Sequence, residues 1–165
     1  MSKIYIQGTF GAYSHLAALE IDPNAEIIPC KTFDECFLKV SSESDSRMVI
    51  PESNRITGNI GIEYLIFKYR LNIYAEHFQK IEHNLLGQPG TNLSDIKDVF
   101  SHTQGLSQCS NFIKKNNFVE HIRADTAGSA EAISKKKIKR EAAIASSLSA
   151  KIYKLKILAS NIENE

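Results

Sequence analysis

The sequence predicts an α/β fold built around a largely parallel sheet. Three observations carry that expectation. Short strand patterns feed repeatedly into helical ones, Ser or Thr opens several of the helices that follow, and 42% of the 165 residues are hydrophobic, enough for a real core. Ile4 and Ile6 start the first strand, and Ser14 to Leu19 reads as the helix after it. Glu26 to Cys30 is a second strand. Thr32-Phe-Asp-Glu35 is a capping box, and Phe33, Phe37 and Val40 put one apolar stripe on its helix. Met48 to Ile50 forms a third strand ending at Pro51, and Ile62, Leu65, Ile66 and Tyr69 mark the buried face of the next helix.

From Leu71 to Leu86 the pattern turns long and extended, with alternation at Ile73 and Ala75, as for a strand leaving one lobe for another. After a loop at Gly87 to Gly90 come a strand at Val99 and Phe100, a helix over 103–116 and a strand over Phe118 to Ile122. A helix from Ala127, a strand over Ala142 to Ala145, a helix over 147–153 and a strand over Leu155 to Ala159 complete the order. The expected division is a first lobe over 1–75, a second over 76–155, and the start of a return crossing to the first lobe over 156–165.

Composition narrows the function. Twenty Lys and Arg against nineteen Asp and Glu leave a net charge of +1, so no global field draws the chain to nucleic acid or to an anionic membrane. Apolar runs such as Ile60 to Phe67 are broken by Gly61 and Glu63, short of a membrane span. No charged and apolar export signal opens the chain, and three cysteines without a CxxC spacing suit a reducing cytoplasm. His15, His77, His83, His102 and His121 lack metal spacing, so none of them is expected to be a metal ligand. Ser101 beside His102 is no nucleophilic pair, because chain neighbours seldom face each other. Lys135 to Arg140, the one basic run, reads as a solvated helix end and loop.

Specificity therefore falls to a local site. Ser14, Ser101, Thr126 and Ser146 stand where strands pass into helices, the edge of an open α/β sheet at which ligands bind. Helix-start amides there favour an anion, although Ser and Thr are also simply good N-caps. In Ser101-His-Thr-Gln-Gly-Leu-Ser-Gln-Cys109, Leu106, Cys109 and Ile113 fall on a core face, and Gln104 and Gln108 lie one turn apart on the other. Two neutral amides near a hydroxyl suit a carboxylate or a hydroxyl ligand.

These residues resemble the prephenate dehydratase domain. The resemblance runs in order through Gly8-Thr-Phe-Gly-Ala-Tyr-Ser-His15, Cys30-Lys-Thr-Phe33, Val49-Ile-Pro51 with Asn54 and Gly58, Ile81-Glu-His-Asn-Leu-Leu86, Ser101 to Cys109, Asp125-Thr-Ala-Gly-Ser-Ala130 and Ala142-Ala-Ile-Ala-Ser146. It implies two α/β lobes similar to type II periplasmic binding proteins, joined by crossing strands. It also implies conversion of prephenate to phenylpyruvate in phenylalanine biosynthesis, without cofactor, in a homo-oligomer. The alternative is a non-enzymatic module that binds small carboxylates in the same cleft.

Asn54, Ser101, Gln104, Gln108 and Thr126, with Ser14 beside them, are the substrate-binding residues the resemblance implies. His83 braces the crossing strand. Two departures stand out. Ser53 and Arg55 occupy places where the family pattern has Glu and Ser, while a gapped alignment would match Glu52 instead; Arg55 offers a bidentate carboxylate contact or is a surface side chain. A lesser change is Thr103, where Pro is common. The family's Thr-Arg-Phe motif, whose Thr is taken as catalytic, is expected to lie past Glu165, and the phenylalanine-binding ACT domain that often follows it is not expected within these residues.

Overall fold

A computed structural model describes residues 2–54 and 58–164. The chain divides into two compact units, one of Met1–Thr9 and Tyr13–Gln79, the other of Phe10–Ala12 and Lys80–Glu165. The α/β class expected from the alternation is the class observed.

In the first unit β1 (Lys3–Gln7) lies between β2 (Glu26–Cys30) and β3 (Ser46–Val49), parallel to both. Successive side chains of β1 serve opposite faces, as a strand's two-residue period requires. Ile4 and Ile6 pack with Ala18 of α1 (Tyr13–Ile21), whereas Tyr5 packs with Cys30 and with Cys36 of α2 (Phe33–Ser42). Apolar residues on both faces explain why these strands read as continuous runs. At the start of α2 the Glu35 amide donates to Thr32 Oγ1 at 3.1 Å, and the Glu35 carboxylate accepts from the Lys31 amide at 2.8 Å, one residue earlier than in the expected box. A short antiparallel pair, β4 (Ser53–Asn54) and β5 (Gly58–Asn59), precedes α3 (Glu63–Tyr69). Ile62 and Leu65 are the buried residues at α3, and Ile66 and Tyr69 are half-buried.

The strand expected from Leu71 begins only at Asn84. Residues 71–83 carry neither helix nor strand, and Ile73, Tyr74 and Phe78 are exposed. Alternation in sequence produces a strand only where a neighbour supplies the ladder of hydrogen bonds.

The second unit holds a five-stranded sheet in the order β10-β6-β9-β7-β8. Its strands are β6 (Asn84–Gly87), β7 (Asp98–Ser101), β8 (Val119–Ile122), β9 (Glu141–Ala145) and β10 (Lys156–Ala159). β7 runs parallel to β8 and β9, and β6 runs antiparallel to β9 and β10. The sheet is therefore mixed. Alternate residues again separate two cores. Leu85, Val99 and Ile144 meet Leu106, Cys109 and Ile113 on one face, and Leu86, Phe100, Ala143 and Ala145 meet Ala130, Ile133 and Ala150 on the other.

The single helix expected over 103–116 is two, α4 (Thr103–Gln108) and α5 (Ser110–Lys115), with a break at Cys109, whose φ is −109° and ψ 15°. α6 (Thr126–Lys136) and α7 (Ser147–Tyr153) cover the opposite core. Among the described residues, no helix is long and apolar enough to cross a membrane.

Candidate functional site

The sequence motifs of the second unit collect where β7 and β9 pass into α4 and α7, and where α6 begins. Each helix start is already capped by its own side chain. His102 Nδ1 accepts from the Gln104 amide at 3.3 Å, the Asp125 carboxylate accepts from the Gly128 amide, and Ser146 Oγ accepts from the Ser149 amide at 3.1 Å. Of the four Ser and Thr joints, Ser146 is thus an N-cap. Thr126 is the first residue of α6, one place after its cap, and Ser14 lies within α1. The amides expected to await an anion are in part taken by these caps.

Ser101 is fully buried as the last residue of β7, and its hydroxyl donates to the Ile144 carbonyl of β9 at 2.7 Å. It therefore ties two central strands at their common end. Gly105, on the first turn of α4, packs directly over it: a Cβ at Gly105 would stand 2.7 Å from Ser101 Oγ and 3.4 Å from Thr126 Cγ2. The glycine lets α4 descend until Ser101 and Thr126 flank it, which brings two sequence-predicted residues together. Gln104 is exposed on the same turn.

Gln108 is half-buried, and its carboxamide oxygen lies 2.7 Å from His83 Nε2. His83, 2% exposed, sits just before β6. Its backbone is held on both sides by a segment that sequence reasoning did not assign to the site. The His83 amide donates to the Glu163 carboxylate at 2.8 Å, and the His83 carbonyl accepts from the Ile162 amide at 3.0 Å. Asn164 continues the clamp on the helix side: its amide donates to the Gln108 carbonyl at 2.6 Å, and its Oδ1 accepts from the Asn111 amide at 3.1 Å. The segment thereby fastens the stretch leading into β6 and the α4–α5 break to one another. Asn161, at φ +52°, turns the chain into it. Only the resemblance placed His83 on a strand brace; its bond to Gln108 joins residues 25 positions apart and had no local signal.

Asn54 belongs to β4 of the first unit, but its side chain lies outside the described residues, as does all of Arg55. Ser14 also belongs to the first unit.

Burial sets the protonation of the groups in place. It pushes the His83 imidazole below its ordinary value, against the raising effects of Gln108 and Glu163, and it lowers His15 likewise. Both rings are neutral at pH 7. Burial pushes the Cys109 thiol up to about 12, so this side chain is an inert part of the core. Asp98 is held below the usual carboxylate range, first by the hydrogen bond with His121 at 2.9 Å and then by Arg140, which ties part of the basic run to β7.

A stability profile follows. Below about pH 6.5 an unfolded histidine binds a proton that the buried ring still refuses, so the unfolded chain binds more protons and stability falls on acidification. The fall ends once the folded rings protonate as well. The urea midpoint is expected to drop between pH 7 and pH 5, and His15→Phe and His83→Phe should each flatten that slope. Unchanged slopes in both variants would contradict the assignment.

Against this geometry, the prephenate dehydratase family model matches residues 4–165. Arogenate dehydratase 2 of Petunia hybrida is 38% identical over 164 residues, which is 99% of this chain and 42% of that protein. Arogenate dehydratase/prephenate dehydratase 1, chloroplastic, of Arabidopsis thaliana is 41% identical over 165 residues, again 99% of this chain and 42% of the relative. The solved structure of GqqA, described as a novel type of quorum quenching acylase, has a TM-score of 0.91 at 33% identity, over 98% of this chain and 60% of that one. The chain spans about two fifths of the length of these curated relatives. Its α/β fold is the one found in solved prephenate dehydratases, similar to type II periplasmic binding proteins. With its motifs in order and the family model covering residues 4–165, the chain belongs to the prephenate dehydratase family.

Proposed function

We propose that the protein containing this chain converts prephenate to phenylpyruvate in phenylalanine biosynthesis. Family membership over residues 4–165 is the observation that carries this reading. The reaction is a decarboxylative elimination. The bond from the ring to its carboxylate breaks, its electron pair enters the ring, and the opposite hydroxyl leaves with a proton as water. Prephenate yields phenylpyruvate, one carbon dioxide and one water. Aromatisation drives the step, so the protein has to orient a dianion and supply hydrogen bonds or a proton to the leaving oxygen.

Neutral donors suit that task. Gln104, exposed on α4, Gln108, held at His83, and Thr126, beside Gly105, are proposed to position the substrate. Ser101 supports them from below through its bond to β9. Ser14 and Asn54 stay in the proposal on the family pattern alone. The acid that serves the leaving hydroxyl is proposed to be the Thr of the family's Thr-Arg-Phe motif, supplied by sequence outside this chain. Small-molecule substrate, homo-oligomeric assembly and a cytoplasmic setting complete the proposal.

An acylase activity like that named for GqqA draws no support from Ser101 or Cys109. The Ser101 hydroxyl is committed to a carbonyl, and the Cys109 thiol is buried and protonated.

The test is turnover by the natural full-length protein, with prephenate and arogenate offered separately. Aromatic product from prephenate supports the proposal. Turnover of arogenate alone would move the substrate to the amino analogue, and turnover of neither would overturn the enzyme reading.

A further inference from the structure

Gln108 can meet a ligand in two ways, because rotating its carboxamide by half a turn exchanges a carbonyl acceptor for two N–H donors. In the observed orientation Gln108 Oε1 faces His83 Nε2 at 2.7 Å. An oxygen at that distance accepts a hydrogen bond only from an imidazole that carries its proton on Nε2. The planar amide then directs its N–H groups away from the ring. We infer that His83 is a positioning residue: by donating from Nε2 to Gln108 Oε1, it fixes the carboxamide with its N–H donors available to the anionic substrate. This inference rests on the dehydratase reading and assigns His83 a role beyond bracing a strand.

The surroundings favour a fixed orientation. His83 is 2% exposed, and both of its backbone polar groups are held, the amide by the Glu163 carboxylate at 2.8 Å and the carbonyl by the Ile162 amide at 3.0 Å. The Gln108 carbonyl accepts from the Asn164 amide at 2.6 Å. Both ends of the His83–Gln108 bond are therefore anchored by residues 162–164. For an anionic ligand the orientation matters: N–H groups attract a carboxylate, and a carbonyl oxygen turned toward it repels it. A ring that only filled core space would give no preference between the two.

A double-mutant cycle in the natural full-length protein tests this, with kcat/KM for prephenate as the readout and Tm measured alongside. Gln108→Ala is expected to lower kcat/KM about 100-fold and His83→Phe about 10-fold, whereas the double variant loses about 100-fold in total, because His83 acts only through Gln108. A double variant that loses about 1,000-fold, the product of the two, would overturn the inference, since a structural role is independent of the amide. Nitrogen-15 NMR of His83 in the unmutated protein gives a second readout that needs no variant to fold. A proton on Nε2 at pH 7 supports the assignment; a bare Nε2 overturns it. Wild-type protein that turns over no prephenate sinks the dehydratase reading instead, while the nitrogen spectrum still decides the contact.

Discussion

Gln108→Glu in the natural full-length protein is expected to lower kcat/KM for prephenate by at least 100-fold, about 2.7 kcal/mol of transition-state stabilisation, while leaving Tm close to wild type. The reason lies in what each end of the side chain does. A glutamate oxygen can still accept from His83 Nε2, so the buried imidazole keeps its partner. In the proposed site the opposite end, however, loses two N–H donors and turns a negative charge toward the dianion. Gln108→Ala makes a poorer test alone, because it also removes the bond to the buried His83 ring at a cost of about 0.5–1.5 kcal/mol. Steady-state kinetics with thermal unfolding on the same samples separates the two effects. Near-wild-type kcat/KM for Gln108→Glu would remove Gln108 from the substrate site.

The largest loss of stability is expected at Gly11. Its carbonyl accepts from Ser146 Oγ at 2.6 Å and from Ser149 Oγ at 3.0 Å, and its φ of +91° lies where side chains are strained. A methyl group here would collide with Ser149 Oγ and stand 3.0 Å from Ser149 Cα. The hydroxyl cannot swing aside without leaving the Gly11 carbonyl. Gly11→Ala should therefore destabilise the second unit by about 2–4 kcal/mol, from strain and overpacking combined. Urea denaturation checks this, and a change below about 0.5 kcal/mol, the usual surface value, would contradict the packing.

These two positions also show where sequence reasoning reaches and where it stops. The βα alternation exposed the fold class because strands covered on both faces, such as β1 and β9, read as apolar runs between helix patterns. The core face of Leu106, Cys109 and Ile113 was legible for the same reason: its period is local. Helix ends were harder to read. Arg70, Lys137 and Lys154 close α3, α6 and α7 in the left-handed region, with no glycine to announce them. At 125–126 two good cap residues stand side by side, and the carboxylate of Asp125 takes the cap rather than the Thr126 hydroxyl.

The site was legible as a set of residues but not as an arrangement. Ser101 was singled out as a helix opener, yet its hydroxyl serves Ile144, 43 residues away. Gln108 was read as a free polar face, and its carboxamide is instead bound to a buried histidine. Glu163 and Asn164 belong to no motif, and they clamp both sides of that contact. Each partner is distant in sequence, so periodicity and spacing carry no trace of it.

Isotope balance in a single reaction shows whether the protein carries out the decarboxylative elimination. Natural full-length protein is given prephenate labelled with carbon-13 in the ring carboxylate. Labelled carbon dioxide and phenylpyruvate are expected in a one-to-one ratio, with no label in the aromatic product. Binding of prephenate without release of labelled carbon dioxide above the uncatalysed rate would contradict that expectation, leaving a carboxylate-binding module in place of an enzyme.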